Sequence, residues 1–421
     1  MARSNSTTAQ AEPDSRYAVI RLLAALIVMA VGGSGMYVIA VVLPTVQLEF
    51  GVTRGAASVP YTALLVGFGV GGLVMGHIAD RFGIMIALLI GAVSLGLGYS
   101  AAAMAQSLWA FTLVHGLLIG LLGCGATFAP LIADTSLWFV RRRGIAVAVC
   151  ASGNYLSGTI WPPIVQSFVY DIGWRQTYIG LGIFSFVAMA SLALIMRPRP
   201  PAAALAAAPA SGRPQRATSS SMPFGLSPGK AQALLCIAGL GCCVAMSMPQ
   251  VHIVAYCLDL GYGAARGAEM LSLMLACGIA SRLISGMICD HIGGLRTLVM
   301  GSALQGIALL LFLPFDGLVS LYVIAALFGL FQGGIVPAYA IIVREHFSPA
   351  EAGSRVGMII MFTMLGMALG GWMSGAIYDL TGSYRAAFLN GIAWNLVNLT
   401  IALTLLYRTV RLTARPPIAA A

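Results

Sequence analysis

The eight residues that decide the fold occur twice in this chain. Residues 76–83 read GHIADRFG and residues 286–293 read GMICDHIG, so the two copies lie 210 positions apart. Both copies end a long apolar run, and both have glycine at the first and last positions and aspartate at the fifth. An acidic residue at the same place in two apolar contexts indicates an internal repeat.

Two further matches extend the repeat along the chain. EFG at 49–51 matches DLG at 259–261, and DIGWR at 171–175 matches DLTGSYR at 379–385. Many secondary transporters consist of such repeats, with the substrate bound near the middle of the membrane where the repeats meet. The repeat therefore favours a transporter of two related halves.

The composition predicts an integral membrane protein. Hydrophobic residues make up 59% of the 421 residues and charged residues only 9%, whereas a soluble domain carries about 25% charged residues. A helix needs about 20 apolar residues to cross a membrane. Twelve such runs are present, at 18–43, 57–79, 85–105, 108–136, 144–169, 176–196, 231–257, 267–289, 297–315, 318–343, 354–378 and 384–407. We expect an all-α membrane protein with 12 transmembrane helices in two pseudo-symmetric six-helix bundles.

A polar, proline-rich and basic stretch separates the sixth and seventh runs, and this composition is typical of a linker. The predicted organisation is a cytoplasmic N-terminal tail at 1–17, a six-helix bundle at 18–196, a cytoplasmic linker at 197–230, a second six-helix bundle at 231–408 and a cytoplasmic C-terminal tail at 409–421.

The chain has a net charge of +10, and the distribution of its basic residues follows the predicted membrane topology. With a cytoplasmic N-terminus, 18 of the 23 Lys and Arg residues lie on the cytoplasmic side and four outside, and Arg282 lies within a span. This bias places both termini in the cytoplasm and argues against nucleic acid as a partner. We expect a monomer in the lipid bilayer of a bacterial inner (plasma) membrane.

The sequence offers no set of residues for catalysis or metal binding. The eight cysteines lie in or next to apolar runs, and none forms a C-x-x-C pair with histidine partners. No nucleophile–base set and no phosphate-binding loop followed by lysine occurs. We therefore predict no enzyme, no cofactor and no ATPase, so that transport is driven by a gradient or by exchange.

The repeated motif resembles the signature of the major facilitator superfamily. Its residues here are Gly76, Asp80, Arg81 and Gly83, echoed by Gly286, Asp290 and Gly293. The resemblance implies a cytoplasmic gate, in which the aspartate accepts N–H groups at the start of a neighbouring helix and the last glycine allows a tight turn. Ile84 and Met85 stand where the family has basic residues.

Asp134 is a further candidate for this gate. It lies one turn before residues 138–143 (WFVRRR), where the family often places an acid that pairs with the signature arginine, here Arg81. The alternative is a carboxylate that carries protons.

Arg282 is the charged residue deepest in a predicted span, about 12 Å from the inner end of the eighth one. A charge at this depth is costly and usually functional, and the matching residue of the first half is Gly72. A guanidinium facing a cavity binds a carboxylate through two hydrogen bonds. The alternative is an ion pair that holds helices together, but no acid occurs clearly at that depth.

The surroundings of Arg282 resemble the monocarboxylate transporter and oxalate/formate antiporter branch of the superfamily. The matching segments are GVTR at 51–54, WFVRRRGIA at 138–146, GWR at 173–175 and ASR at 280–282. The resemblance implies that Arg282 binds the substrate carboxylate. The lysine usual in those carriers and a second cation for a dianion are lacking, and Gly278 stands where animal carriers often have aspartate. This favours a monoanion.

His252 is the candidate proton carrier, because histidine changes its charge near neutral pH. Its span also contains Pro249, which we expect to break the helix beside a cavity. The alternative for His252 is a structural, hydrogen-bonded histidine, and His115 is a weaker candidate. Further candidates for the cavity wall, each alternatively a packing residue or a hydrogen bond between helices, are Asn154, Tyr155, Gln332, Phe128 and Phe362.

Together these residues predict a secondary active transporter that moves a small organic anion, a monocarboxylate, by alternating access. H+ is the predicted second partner, carried by His252. An exporter of apolar or drug-like compounds is the alternative within transport. A membrane-embedded receptor or enzyme is the alternative of another class.

Overall fold

Long helices account for all twelve predicted spans. The computed structural model describes residues 13–198, 222–348 and 351–413, and these ranges contain no strand. Eleven of the helices within them are long and apolar enough to cross a membrane. The helix Arg143–Ile172, with 30 residues, coincides with the remaining predicted span, the fifth. The all-helical fold class is confirmed.

In chain order the helices are α1 (Arg16–Phe50), α2 (Arg54–Phe82), α3 (Ile84–Met104), α4 (Leu108–Trp138), α5 (Arg143–Ile172), α6 (Trp174–Ile195), α7 (Pro228–Asp259), α8 (Ala264–Ile292), α9 (Gly294–Leu311), α10 (Leu318–His346), α11 (Ala352–Thr381) and α12 (Tyr384–Thr413).

Glycines interrupt two of these helices. Helix α1 is divided at Gly33 into Arg16–Gly32 and Ser34–Phe50. Helix α10 is divided at Gly333 and Gly334 into Leu318–Gln332 and Ile335–His346. Glycine lowers the cost of leaving the helical conformation, so the sequence itself places these breaks.

Helix α7, by contrast, continues through Pro249 without a break. Our expectation of a broken helix there was wrong. Proline removes one backbone hydrogen bond, and the bonds on either side of it hold the helix together, as is common in membrane-spanning helices.

Helix α4 changes its winding along its length. It begins as an α-helix at Leu108–Val114, continues as a π-helix over His115–Gly123 and a short 3-10 helix at Cys124–Ala126, and ends as an α-helix at Ala129–Trp138. Stretches of π-helix are rare and often occur at functional sites.

The contacts divide the chain into two units. The first consists of residues 1–212 with 254–276, and the second of residues 213–253 with 277–421. The division falls within α7 and α8, so that the last residues of α7 and the first residues of α8 belong to the first unit by contact. The bundles at 18–196 and 231–408 stay a prediction.

Parts of the predicted tails and linker lie outside the described residues, namely 1–12, 199–221 and 414–421. Within the predicted linker, Phe224 is buried and stacks on the His346 ring with centroids 4.4 Å apart. Helix α7 begins at Pro228, three residues before the predicted start, and α12 continues through Thr413.

The close approach of neighbouring helices explains why many positions within them are glycine. In the first unit, a Cβ atom on Gly67 or Gly71 of α2 would overlap backbone atoms of α4. In the second unit, a Cβ atom on Gly366 or Gly370 of α11 would overlap backbone atoms of α7. Small residues let membrane helices pack at such distances.

Candidate functional site: the signature turns and a polar cluster on α8 and α10

The last glycines of the two signatures are required by the backbone. Gly83 ends α2 with φ 93° and ψ 156°, and Gly293 ends α8 with φ 84° and ψ 162°. This region of φ and ψ is accessible essentially to glycine alone, so the predicted role in a tight turn is confirmed. The first glycines differ, since a Cβ atom on Gly76 or Gly286 meets no atom within 4 Å.

The start of α9 receives its carboxylate from α10. The backbone N–H of Gly294 donates to Oε1 and Oε2 of Glu345, at 3.1 and 3.2 Å. We had expected the signature aspartate Asp290 in this role, but its side chain is exposed. The equivalent Asp80 and the neighbouring Arg81 are exposed too, and the Arg81 guanidinium lies 5.2 Å from the centre of the Phe82 ring.

Asp134 pairs with Arg21 of α1, which corrects the expected pairing with Arg81. Arg21 Nε and Nη2 donate to the two carboxylate oxygens of Asp134 at 2.9 and 2.8 Å. Arg21 is 2% exposed and Asp134 7%. The guanidinium also lies 4.6 Å from the centre of the Trp138 ring and donates to the Pro198 carbonyl at 3.2 Å. A buried pair of this kind joins α1 to the end of α4.

Two signals in the sequence could have led to these residues. Arg21 lies inside the first predicted span, where a charge needs a partner. Glu345 lies 211 positions after Asp134, within one residue of the repeat offset. The acid at the end of the fourth helix of each repeat therefore binds a different group in each unit.

A second ion pair was also missed. Arg54 of α2 pairs with Asp259 of α7, with Nη2 donating to Oδ1 at 3.2 Å, and its Nε donates to Gln47 Oε1 at 3.1 Å. Arg54 is 7% exposed. Both partners belong to the first unit. The sequence shows each residue only as a charge at the end of a span, so nothing in it indicates the pairing.

Arg282 lies on α8, two turns before the signature aspartate, and is half-buried with its Nε atom enclosed. The preceding residue, Ser281, is 2% exposed and packs against the break in α10, because a Cβ atom on Gly333 would lie 2.8 Å from the Ser281 Cβ. Arg282 follows Ser281 directly, so its backbone belongs to the turns of α8 that pack against the break in α10.

Two side-chain amides lie at the same break. Gln250 Nε2 of α7 donates to Gln332 Oε1 of α10 at 3.1 Å, and both residues are buried. The Gln332 Nε2 and Ser281 Oγ atoms are enclosed and have no hydrogen-bond partner among the residues that the structure describes. Gln250, Ser281, Arg282 and Gln332 are referred to below as the α8–α10 cluster. It combines a cation with unused hydrogen-bonding capacity inside a membrane-spanning unit.

His252 lies on another side of α7, fully buried against α11 and α12. Its Nε2 donates to the Gly371 carbonyl at 2.8 Å, and its Nδ1 lies 3.2 Å from the Tyr384 hydroxyl. A carbonyl only accepts, so Nε2 carries a proton and Nδ1 of the neutral ring accepts from Tyr384. A second proton on Nδ1 would reverse that bond without moving either side chain.

The remaining candidates are divided between the units. In the first unit, Asn154 Oδ1 faces the break of α1 at Gly33, Tyr155 is 6% exposed, and Phe128 packs edge-to-face on Phe68 with centroids 6.0 Å apart. In the second unit, Phe362 is half-buried on α11.

Comparison with known proteins identifies the family. The family profile of the Major Facilitator Superfamily matches residues 25–319 and 270–421, which together span most of the chain. The chain belongs to the major facilitator superfamily. It is a membrane transporter and not an enzyme.

Two relatives and one solved structure show how this facilitator compares with others. Monocarboxylate transporter 13 of Bos taurus is 28% identical over 330 residues, 78% of this chain and 75% of that protein. The MFS-type transporter pynF of Aspergillus niger is 23% identical over 314 residues, 73% of this chain and 69% of that protein. The peptide transporter POT, solved in complex with sulfate, superposes with a TM-score of 0.74 at 14% identity, covering 97% and 99% of the two chains. The last likeness concerns the fold alone.

Proposed function

We propose that this facilitator carries a small monocarboxylate by alternating access, together with a proton. The observation that carries the proposal is the α8–α10 cluster, in which Arg282 lies on the turns of α8 that pack against the break in α10 and the Ser281 Oγ and Gln332 Nε2 atoms are enclosed. A guanidinium binds both oxygens of a carboxylate in one plane. The likeness to a mammalian monocarboxylate transporter supports the same substrate class.

In this proposal the enclosed donors serve the anion as well. Gln332 Nε2 and the Ser281 hydroxyl each have a hydrogen bond to give, and a bound carboxylate has more lone pairs than one arginine can use. Binding neutralises Arg282, which lowers the cost of passing between the outward-open and inward-open states. A single arginine suits a monoanion.

The proton is assigned to His252. Because its Nε2 is committed to Gly371, a proton is taken up at Nδ1, and the hydrogen bond to Tyr384 then runs from the imidazole to the hydroxyl oxygen. Tyr384 is the first residue of α12 and 4% exposed, so this hydrogen bond joins His252 to the start of that helix. Tyr384 would pass the proton to and from the ring.

Uptake of radiolabelled lactate and pyruvate into proteoliposomes tests the anion site. We expect Arg282→Gln to lower the uptake at least 100-fold, while Arg266→Gln, which removes an exposed arginine from the same helix, leaves it unchanged. Unchanged uptake of every carboxylate by Arg282→Gln would contradict the proposal. Transport of a fluorescent drug that is insensitive to carboxylates would favour the exporter.

The two buried histidines allow a matched test of the proton step. His115 of α4 is also fully buried, with Nδ1 donating to the Phe111 carbonyl at 2.8 Å and Nε2 lying 3.3 Å from the Tyr178 hydroxyl. We expect His252→Gln to abolish the response of uptake to an inward proton gradient and His115→Gln to keep it. The assignment fails when both variants keep the response.

Several expectations stay part of the proposal. They are the cytoplasmic position of both termini, the monomeric state, the gate role of the signature residues and the bacterial inner membrane. The two curated relatives compared above come from a mammal and a fungus and lend no support to a bacterial location. Labelling of single cysteines at Ser15 and Thr413 in intact cells would test the topology.

A further inference from the structure

The second unit contains a cavity that the transport proposal does not use. It has a volume of about 340 Å³ and lies where α7 and α11 begin. Among the residues that the structure describes, it is lined by Gln232, Glu351, Ser354, Arg355 and Met358. Both helices are long and apolar enough to cross a membrane, which places their first turns at the depth of the lipid headgroups.

Gln232 leaves one hydrogen-bonding atom unused in this wall. Its Nε2 donates to the Arg355 carbonyl at 3.1 Å and to Cys236 Sγ at 3.5 Å. Its Oε1 is enclosed and accepts no hydrogen bond from the described part of the chain, although the residue is only 6% exposed. A buried acceptor without a donor is costly, so the cavity lacks a donor that a ligand can supply.

The charges of the wall are balanced. Arg355 donates to Glu351 Oε2 from Nε at 2.9 Å and from Nη2 at 2.6 Å, and its guanidinium lies 4.7 Å from the centre of the Phe347 ring. The Arg355 side chain is 18% exposed and that of Glu351 57%. The described part of the wall therefore presents one cation, one anion and one neutral acceptor.

We propose that this cavity binds the headgroup of phosphatidylethanolamine. The primary ammonium donates to Gln232 Oε1 and to the Glu351 carboxylate, and the phosphate accepts from the Arg355 guanidinium and contacts the Ser354 hydroxyl. The volume is at the lower end of ligand pockets, which span about 300–1,000 Å³, and suits a headgroup. Met358, which is 50% exposed, continues the wall with apolar surface for the glycerol and the acyl chains.

The chemistry distinguishes this headgroup from the other common ones. Choline carries no N–H group, so it cannot satisfy Gln232 Oε1. Phosphatidylglycerol has no cation for Glu351, and phosphatidylserine would bring a second carboxylate next to Glu351. A primary ammonium joined to a phosphate matches all three groups of the wall.

Native mass spectrometry of the full-length protein tests this with a graded series of lipids. The protein is equilibrated with phosphatidylethanolamine, its N-methyl and N,N-dimethyl derivatives and phosphatidylcholine, all with the same acyl chains. We expect one bound lipid per protein, with occupancy falling at each methylation and at least 5-fold lower for phosphatidylcholine. Equal occupancy across the series would overturn the proposal.

Variants test whether the preference for phosphatidylethanolamine over phosphatidylcholine arises in this cavity. Gln232→Leu and Glu351→Gln should each reduce this preference to about 1-fold. Glu269→Gln should keep it, because Glu269 belongs to another exposed Arg–Glu pair, on α8 and away from the cavity wall. Glu351 lies at the surface, so its replacement keeps the test valid should Gln232→Leu fail to fold. A preference kept by both cavity variants, or displacement of the lipid by equimolar free phosphoethanolamine, would overturn the assignment to a lipid.

Discussion

Arg175 and Arg385 occupy matching places in the two repeats but are held differently. Arg175 donates to the Ala103 carbonyl, and Arg385 donates to the Leu313 carbonyl at 3.1 Å; these two acceptors are 210 positions apart, like the signatures. Arg175 also binds Glu49, with Nε at 3.0 Å and Nη2 at 2.7 Å. The contact to a backbone carbonyl is common to both repeats, whereas the contact to the Glu49 carboxylate belongs to Arg175.

The same division holds for the acids. Asp259 matches Glu49 in the repeat, yet it pairs with Arg54. Asp134 pairs with a buried arginine, whereas Glu345, its near-counterpart, binds the backbone N–H of Gly294. The contact of Arg175 and Arg385 to a backbone carbonyl therefore follows the repeat, whereas the partners of the matched acids differ between the halves.

The largest difference between matched acids should appear at Asp134. Asp134→Leu leaves the Arg21 guanidinium buried without its partner, and we expect a loss of about 3–5 kcal/mol in unfolding free energy. Glu345→Leu removes a carboxylate at a helix start and should cost about 1 kcal/mol. Denaturation in detergent, followed by tryptophan fluorescence, measures both.

A double variant serves as the control for this prediction. Arg21→Met combined with Asp134→Leu removes both charges and should recover most of the stability, because apolar residues of similar volume replace a buried pair at little cost. Equal small losses for Asp134→Leu and Glu345→Leu would show that the two acids are equivalent after all.

The signature glycines should give an intermediate effect that is equal in both repeats. Gly83→Ala and Gly293→Ala force a side chain into a glycine-only backbone conformation, at a cost of about 1–3 kcal/mol each. Gly76→Ala and Gly286→Ala are matched controls in the same motif; they lie within helices next to open space and should stabilise by about 0.5–1 kcal/mol. Melting temperatures in detergent would decide, and a loss at Gly76 or Gly286 would contradict this account.

The smallest effect is expected for the two outer arginines. Arg175→Gln removes a partly exposed ion pair and should cost about 1 kcal/mol. Arg385→Gln removes the bond to Leu313 and should change the stability by less than about 0.5 kcal/mol. The melting temperature of Glu49→Gln should fall with that of Arg175→Gln. A larger loss of stability for Arg385→Gln than for Arg175→Gln would contradict this prediction.

Features encoded locally were predictable from the sequence. The twelve spans, the repeat and the turns at Gly83 and Gly293 each depend on a few neighbouring residues. The partner of Asp134 was not, because Arg21 lies 113 positions away and several arginines compete for one acid. Pro249 misled us, since the cost of a proline depends on the bonds around it.

The candidate site was predictable only residue by residue. Arg282 and Gln332 were named from their types and depth, but their proximity to Ser281 depends on where α8 meets the broken part of α10. His252 was named as well, while its partners on α11 and α12 lie 119 and 132 positions away. No local pattern encodes such distances.

The nine π-helical residues of α4 have a consequence for its last segment. Each residue of an α-helix advances the chain by about 100° around the axis, so rewinding His115–Gly123 to α-helical pitch would turn the segment Ala129–Trp138 about that axis and carry Asp134 out of reach of Arg21. The Arg21–Asp134 ion pair therefore requires the π-helical winding of His115–Gly123, and in turn it fixes the rotation of the last segment of α4 about the helix axis.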